Sequence, residues 1–483
     1  MKILFAAFEA SPFVQAGGLG DVAGSLPKAL AALGHDVRLI LPLHEQVAAD
    51  VRAAMRPVCY GKVRLGWREQ YCGILEYTAG PVTVYFVDNE YYFKRNPIYG
   101  YMDDGERAAF FCRAVTENLR ELWMLDGFQP DVIHCNDWHA SLIPVFLREN
   151  YDARESFYPP IRTVLTIHNL QHQGKCNREC LTDMLDLPAH GLAAERLSFD
   201  QDLDFLKGGL LYSDQLTTVS PTYAREIQTP YYGEGLDEIL RWRSGDLTGI
   251  LNGIDGEEYH PQHDPFLLCP IGPDLAGKGE NKRLLQQELG LPVDPNCPLL
   301  IMVSRLVEQK GLDLLNHILA ELLCCPVQLA VLGTGEARYE AMFQEMVSRF
   351  PDRFALRLEF SRALAHRFYA GGDLLLFPSK FEPCGLTQMI AMTYGTLPLV
   401  RETGGLADSV RGYKAFGKEA DGFSFPNYNA HELLFTVKEA IGLYRDNRQV
   451  WMQLQQNAYT RDFSWQRSAE QYVQVYERAC RHE

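Results

Sequence analysis

The sequence predicts an α/β protein built from two doubly wound domains, each a parallel sheet with helices on both faces. Short apolar or β-branched runs alternate with helical stretches from end to end, which is how parallel strands and their covering crossovers read. At 483 residues the chain is too long for one core, and domains of about 200 residues are the natural division. The alternation is broken once, by an aperiodic stretch holding Pro261, Pro265, Pro270 and Pro273. That break puts the boundary near residue 258.

In the first half, strands are expected at Lys2 to Phe8, Asp36 to Pro42, Val82 to Val87, Asp131 to Cys135, Thr163 to His168, Gln215 to Val219 and Thr248 to Leu251. The second series has strands near Leu299, Val327, Ala355, Leu374, Leu397 and Gly422. Apolar residues from Trp465 to Arg481 are spaced for an amphipathic helix, capped by Phe463-Ser464. Asp202-Leu203-Asp204 is expected to open a helix and gives poor support for metal chemistry. The expected domains are residues 1–258, 259–462 and a terminal helix in 463–483.

Composition narrows the function. A net charge of -16 argues against nucleic acid or an anionic membrane as the main partner. No apolar run reaches the ~18 residues of a membrane span, and Met1-Lys2-Ile3-Leu4-Phe5 runs straight into a strand, so a cytoplasmic protein is expected. The twelve cysteines are scattered through apolar stretches and read mostly as buried thiols. Cys176 and Cys180 lack the second close pair that a zinc site of the usual spacing needs.

The loops after the strands carry the chemistry. Ser379 to Gln388 joins a buried strand to a helix through Glu382, Cys384, Gly385, Leu386 and Thr387. Gly385 to Thr387 are expected to form the first helical turn, with free amides for an anion and Glu382 for sugar hydroxyls; an ordinary N-cap acid is the plain alternative. Two near-duplicates, Gly17-Gly18-Leu19-Gly20-Asp21 and Gly404-Gly405-Leu406-Ala407-Asp408, each sit between a strand and a helix, where paired glycines admit close approach of a ligand. Their spacing is not the dinucleotide fingerprint, which disfavours a nicotinamide enzyme. Arg305 and Lys310 put two cations within one strand-to-helix loop, able to bracket a diphosphate or to serve as plain surface charges. Gly333 marks a turn suited to a passing nucleoside. Asp137 within His134-Cys135-Asn136-Asp137-Trp138-His139, and His168-Asn169, supply the mix of aromatic, imidazole and carboxylate groups that carbohydrate sites use. A lone histidine in such a place is more often structural, so the weight rests on their convergence. Asp21, Asp137, His168, Arg305 and Glu382 all fall at or after strand ends, where open parallel sheets bind ligands.

These blocks, with Lys207-Gly208-Gly209, Val219 to Tyr223 and Asn252-Gly253-Ile254-Asp255, resemble the bacterial glycogen synthase and plant starch synthase family over nearly the whole chain. The resemblance implies two facing Rossmann-like domains of GT-B type around a cleft. It also implies retaining transfer of glucose from ADP-glucose to the non-reducing end of an α-1,4-glucan, glycogen or a malto-oligosaccharide, with neither metal nor cofactor. By that resemblance Arg305 and Lys310 hold the diphosphate and Glu382 the donor glucose, with Gly18 and Cys384 to Thr387 completing the contacts. Asp21, Asp137 and His168 line the reacting centre, with Tyr99 and Asn252 nearer the acceptor.

Two departures bear on the donor. The family usually has lysine where this chain has Gln15, and close relatives place tyrosine where it has Phe360, which keeps a stacking face. Gln15 leaves open a UDP-glucose preference or a non-catalytic glucan-binding relative. A phosphorylase would need pyridoxal phosphate, and the chain is short for one.

Overall fold

The structure is a computed structural model that describes residues 1–78, 80–151 and 156–481. Its strands in chain order are β1 Lys2–Ala6, β2 Asp36–Pro42, β3 Arg56–Leu65, β4 Arg68–Thr78, β5 Thr83–Asp88, β6 Val132–Asn136, β7 Arg162–Ile167, β8 Lys175–Asn177, β9 Ser198–Phe199, β10 Asp202–Asp204, β11 Gln215–Thr218 and β12 Leu247–Gly249. There follow β13 Leu299–Val303, β14 Gln328–Leu332, β15 Phe354–Arg357, β16 Leu374–Phe377, β17 Leu397–Arg401 and β18 Phe423–Phe425.

The chain divides into two units, Met1–Gly253 joined by the stretch from Trp465, and Ile254–Ser464. The first change of unit thus falls at Gly253/Ile254, a few residues before the expected 258. Ile254 N donates to Phe463 O at 2.9 Å, which fastens the chain to the second unit from Ile254 onward. The second change falls at Ser464/Trp465, and the last two residues of the expected 463–483 segment lie outside the described ones.

In the first unit the sheet runs β12-β11-β7-β6-β1-β2-β5-β4-β3. It is parallel from β12 through β5 and antiparallel in the β5-β4-β3 meander. The β3–β4 hairpin departs from the all-parallel expectation. Its alternation of exposed Tyr60, Lys62 and Arg64 with buried Val63 and Leu65 marks a one-sided edge, not the apolar run of a central strand. Asp202–Asp204 is a strand, β10, paired with β8 and β9; only Asp204 serves the next helix, its carboxylate accepting from Lys207 N at 2.8 Å. The C-terminal helix Trp465–Arg481 packs in this unit's core, with Tyr472 and Tyr476 fully buried. Tyr476 Oη lies 2.7 Å from His134 Nδ1 of β6, and Ser468 Oγ donates to Leu251 O at 2.6 Å.

The second unit has one parallel sheet, β15-β14-β13-β16-β17-β18, with strands such as Leu299–Val303 almost wholly buried. Of the cysteines expected to be mostly buried, Cys72, Cys112, Cys135 and Cys384 are; the others reach solvent in part or fully, and all are free thiols. Among the described residues no helix is long and apolar enough to cross a membrane.

The connections place a crevice in each sheet. Strand order reverses between β1 and β6 in the first unit and between β13 and β16 in the second. Loops leaving the carboxyl ends of such a strand pair diverge to opposite faces and leave room for a ligand.

Candidate active site

At the first unit's crevice, the chain leaving β1 turns through Glu9 and doubles back to the glycine pair. Glu9 is buried, and its carboxylate accepts from Ala16 N and, at 3.1 Å, from Gly17 N. Burial pushes its pKa up to about 7, against the lowering effect of those amides and of a Tyr99 hydrogen bond; the nearby Asp21 charge adds to the rise. The helix Gly18–Ala32 starts directly after this turn. Gln15 Nε2 donates to Asp21 Oδ1 at 2.7 Å, so the amide and the carboxylate form one polar edge beside the glycines.

Across the crevice, Asp137 follows β6 with φ 57, a left-handed conformation uncommon for a side-chain-bearing residue. Such strain costs about 1–3 kcal/mol. It is held by Asp137 N donating to Thr166 O at 2.9 Å and by Oδ1 accepting from His168 N at 2.8 Å and Asn169 N at 3.4 Å. Burial drives the Asp137 pKa up to about 7, and Glu9 pushes it the same way. His168 follows β7 in the same way, its ring bonded through Nε2 to Asn136 Oδ1 at 2.9 Å and kept neutral by burial, which lowers its pKa to about 3. Tyr99 stacks on Phe8 at 5.9 Å and lies 4.9 Å from His139. Asn252 is buried just beyond β12, at the same edge of the sheet, with Oδ1 unsatisfied among the described residues.

In the second unit, Lys310 comes from the loop after β13 and Glu382 from the loop after β16, the two strands flanking the crevice. Lys310 Nζ lies 2.6 Å from Glu382 Oε2, which also accepts from Ser379 Oγ at 2.9 Å. The ammonium sits 4.9 Å from the Phe377 ring centroid. Arg305 is exposed, with no side-chain partner among the described residues. Phe360 is 96% exposed, which leaves its ring face available.

The turn after Glu382 differs from the expected helix start. The helix begins at Thr387, and Gly385 has φ 72, so Gly385 and Leu386 precede it as a left-handed turn locked by Gln388 Nε2 donating to Gly385 O at 2.8 Å. The amides of Gly385, Leu386 and Thr387 donate to no partner among the described residues. Three glycines are required by packing within the protein itself. A Cβ on Gly404 would lie 1.9 Å from Glu382 O, one on Gly405 2.1 Å from Cys384 O, and one on Gly333 1.9 Å from Ser304 O. They pack backbone on backbone and brace the Glu382 and Arg305 loops. At Gly18 a Cβ would meet nothing within 4 Å, so the space there is open.

The structure thus gathers Gln15, Gly17, Gly18, Asp21, Tyr99, Asp137 and His168 at one crevice, and Lys310 with Glu382, Cys384, Gly385, Leu386 and Thr387 at the other. Glu9, which links Tyr99 to the glycine turn, and Asn136, which holds His168, were not anticipated. Their one signal is position, immediately after or at the end of a buried strand. Chemically, the first group offers a neutral imidazole, the Asp137 carboxyl with its pKa raised to about 7 and the Asp21 carboxyl, and the second a buried cation–carboxylate pair beside free amides. Polyhydroxyl and phosphoryl groups fit such a set.

Residues 2–242 match the family described as starch synthase catalytic domain, and residues 282–460 match glycosyl transferases group 1. The chain is 50% identical to a glycogen synthase of Geobacillus thermodenitrificans (strain NG80-2), over 100% of this chain and 99% of that one. The catalytic domain of starch synthase IV from Arabidopsis thaliana, solved bound to ADP and acarbose, superimposes with a TM-score of 0.89 at 33% identity, covering 99% of each chain. A sucrose-phosphate synthase from Thermosynechococcus elongatus shares the fold, with a TM-score of 0.59 at 17% identity, over 99% of this chain and 98% of that one. Two doubly wound units, each with its polar groups at the strand-order reversal, define a glycosyltransferase of GT-B fold. Within that class, the chain belongs to the family of bacterial glycogen synthases and plant starch synthases.

Proposed function

We propose that the protein transfers glucose from ADP-glucose to the 4-hydroxyl at the non-reducing end of an α-1,4-glucan, with retention of configuration. The observation that carries this reading is the Lys310–Glu382 pair at 2.6 Å, set at the second unit's crevice beside the free amides of Gly385 to Thr387. Arg305 and Lys310 neutralise the diphosphate, which gains negative charge as the bond to the anomeric carbon breaks. Glu382 accepts from glucose hydroxyls, and Cys384 to Thr387 supply backbone contacts. Phe360 offers its exposed face to the nucleoside base, and Gly333 braces the Arg305 loop. Gln15, Gly17 and Gly18 are further donor-binding residues.

In the transfer the acceptor oxygen bonds to the anomeric carbon on the face from which the diphosphate leaves. Its proton passes to a departing phosphate oxygen, and ADP is released. No carboxylate forms a bond to sugar. Asp21, Asp137 and His168 orient the glucose at the reacting centre, and Tyr99 and Asn252 hold the acceptor. The ADP and acarbose in the plant starch synthase structure support both halves of this reading by likeness. We place the enzyme in the cytoplasm, in keeping with free cysteines and the lack, among the described residues, of a membrane-spanning helix.

Radiolabelled ADP-glucose with glycogen tests the proposal. Label is expected in polymer, with the new linkage in the α configuration by proton NMR. Lys310→Ala or Glu382→Ala should each reduce incorporation by orders of magnitude. Full incorporation in both variants, or binding of glycogen with no transfer by the unaltered protein, would reject it.

A further inference from the structure

His168 is held at two separate points by two consecutive residues of β6 and its end. Asp137 takes the main chain, its Oδ1 accepting from His168 N at 2.8 Å, and Asn136 takes the ring, 2.9 Å from Nε2. Asn136 is fully buried, and its own orientation is set by other bonds. Its Nδ2 lies 3.1 Å from Ala6 O and 3.3 Å from His134 O, two carbonyl oxygens that can only accept. The amide nitrogen must therefore point at them, which leaves Oδ1 toward His168. An amide oxygen also only accepts, so the ring nitrogen facing it carries the hydrogen.

We propose that Asn136 is the positioning residue that fixes His168 as the Nε2–H tautomer and so leaves Nδ1 as a bare acceptor for a sugar hydroxyl. Nδ1 has no hydrogen-bond partner among the described residues, and the residue is only partly buried. With the ring neutral, the two nitrogens have opposite roles, and which role faces the ligand is decided by the bond on the far side. Without Asn136 the ring could turn a donor toward a hydroxyl that must itself donate, or rotate away. The relation is the one by which a partner group sets the tautomer of a metal-bound histidine, here with a hydroxyl in place of a metal. The arrangement also explains why an asparagine fits this position. A carboxylate there would set its lone pairs against Ala6 O and His134 O.

The part of this inference that concerns a sugar hydroxyl rests on the function proposed above, whereas the tautomer does not. Full-length protein labelled with 15N-histidine is examined by long-range 15N–1H correlation near neutral pH, and the His168 signals are identified by their loss in His168→Gln. The unaltered protein should show a protonated Nε2 and an unprotonated Nδ1 at His168. In Asn136→Ala the signals should move to a mixture of tautomers, with kcat/KM for glucosyl transfer down about tenfold or more, as expected when a substrate contact worth 1.4 kcal/mol is lost. A protonated Nδ1 in the unaltered protein would overturn the inference, as would an unchanged tautomer in Asn136→Ala. The first measurement needs no change at Asn136, so a misfolded variant does not shield the idea. An Nε2–H tautomer in a protein that transfers no glucose would uphold the positioning role and reject the function instead.

Discussion

Lys310 Nζ and Glu382 Oε2 stand 2.6 Å apart, with side chains only 12% and 9% exposed. They come from loops on either side of the strand-order reversal, so the pair closes the crevice that the sheet topology opens. Removing one partner leaves the other charge buried and uncompensated, at a cost of about 3–5 kcal/mol. Urea denaturation of Lys310→Ala should show that loss. The double variant Lys310→Met/Glu382→Gln should regain much of the stability yet stay inactive if, as proposed, the pair also contacts the donor. A double variant that transfers glucose at the normal rate would confine the pair to a structural role.

Two buried carboxyls make stability depend on pH. Burial lifts Glu9 from 4.5 and Asp137 from 3.8 to about 7 each. In the unfolded chain both ionise near 4, so between pH 4 and 7 the native state holds more protons than the unfolded one, and stability falls as pH rises. The contribution is complete below about pH 4 and lost above about pH 7. Since the Glu9 charge raises Asp137, ionising Glu9 holds the proton on Asp137 to higher pH. Glu9→Gln keeps an oxygen for the Ala16 and Gly17 amides and removes one titration. It should be more stable than the unaltered protein at pH 8, by on the order of 2–3 kcal/mol, with the advantage gone at pH 4. Melting curves that run parallel across this range would contradict the assignment.

Much of the fold was legible because buried parallel strands are continuous apolar runs: Leu299–Val303 and Leu374–Phe377 could be read directly. The β3–β4 hairpin was not, since Arg56–Leu65 carries Pro57, Gly61 and three cations on an edge whose outer face meets water. Of the candidate residues that the structure gathers at the two crevices, those legible in the sequence have a type and a place in a glycine-rich or strand-end motif that signal chemistry, such as Asp137 and Lys310. Glu9 was missed because its partners, Ala16 and Gly17, are defined only once the chain folds back. Asn136 was overlooked because its role depends on the rotation of an amide, which no spacing encodes.

Gln15 replaces the lysine expected ahead of the first glycine pair, and its amide donates to Asp21 Oδ1 at 2.7 Å. A lysine there would pair with the same carboxylate and add a cation to the proposed donor contacts. Charge-assisted bonds to phosphate are about twice as strong as neutral ones. Gln15→Lys should therefore lower KM for ADP-glucose, by about tenfold if the gain approaches 1.4 kcal/mol. Competition between ADP-glucose and UDP-glucose, run on both proteins, reads donor preference at the same time. An unchanged KM would mean that residue 15 does not reach the nucleotide sugar.

The two Gly-Gly-Leu-x-Asp turns look alike in sequence and differ in what surrounds them. At Gly405 a Cβ would fall 2.1 Å from Cys384 O, inside the brace of the Glu382 loop, whereas at Gly18 nothing lies within 4 Å. Gly405→Ala must displace backbone, so both melting temperature and transfer should fall. Gly18→Ala meets no protein atom and should melt like the unaltered protein, because alanine at a helix start costs little. If the open space at Gly18 is where the donor passes, that same variant should show a raised KM for ADP-glucose while its stability stays unchanged. Steady-state kinetics and thermal melts on the two variants therefore separate a glycine kept for the fold from one kept for a ligand; a Gly18→Ala enzyme with unaltered kinetics would remove the first turn from the donor site.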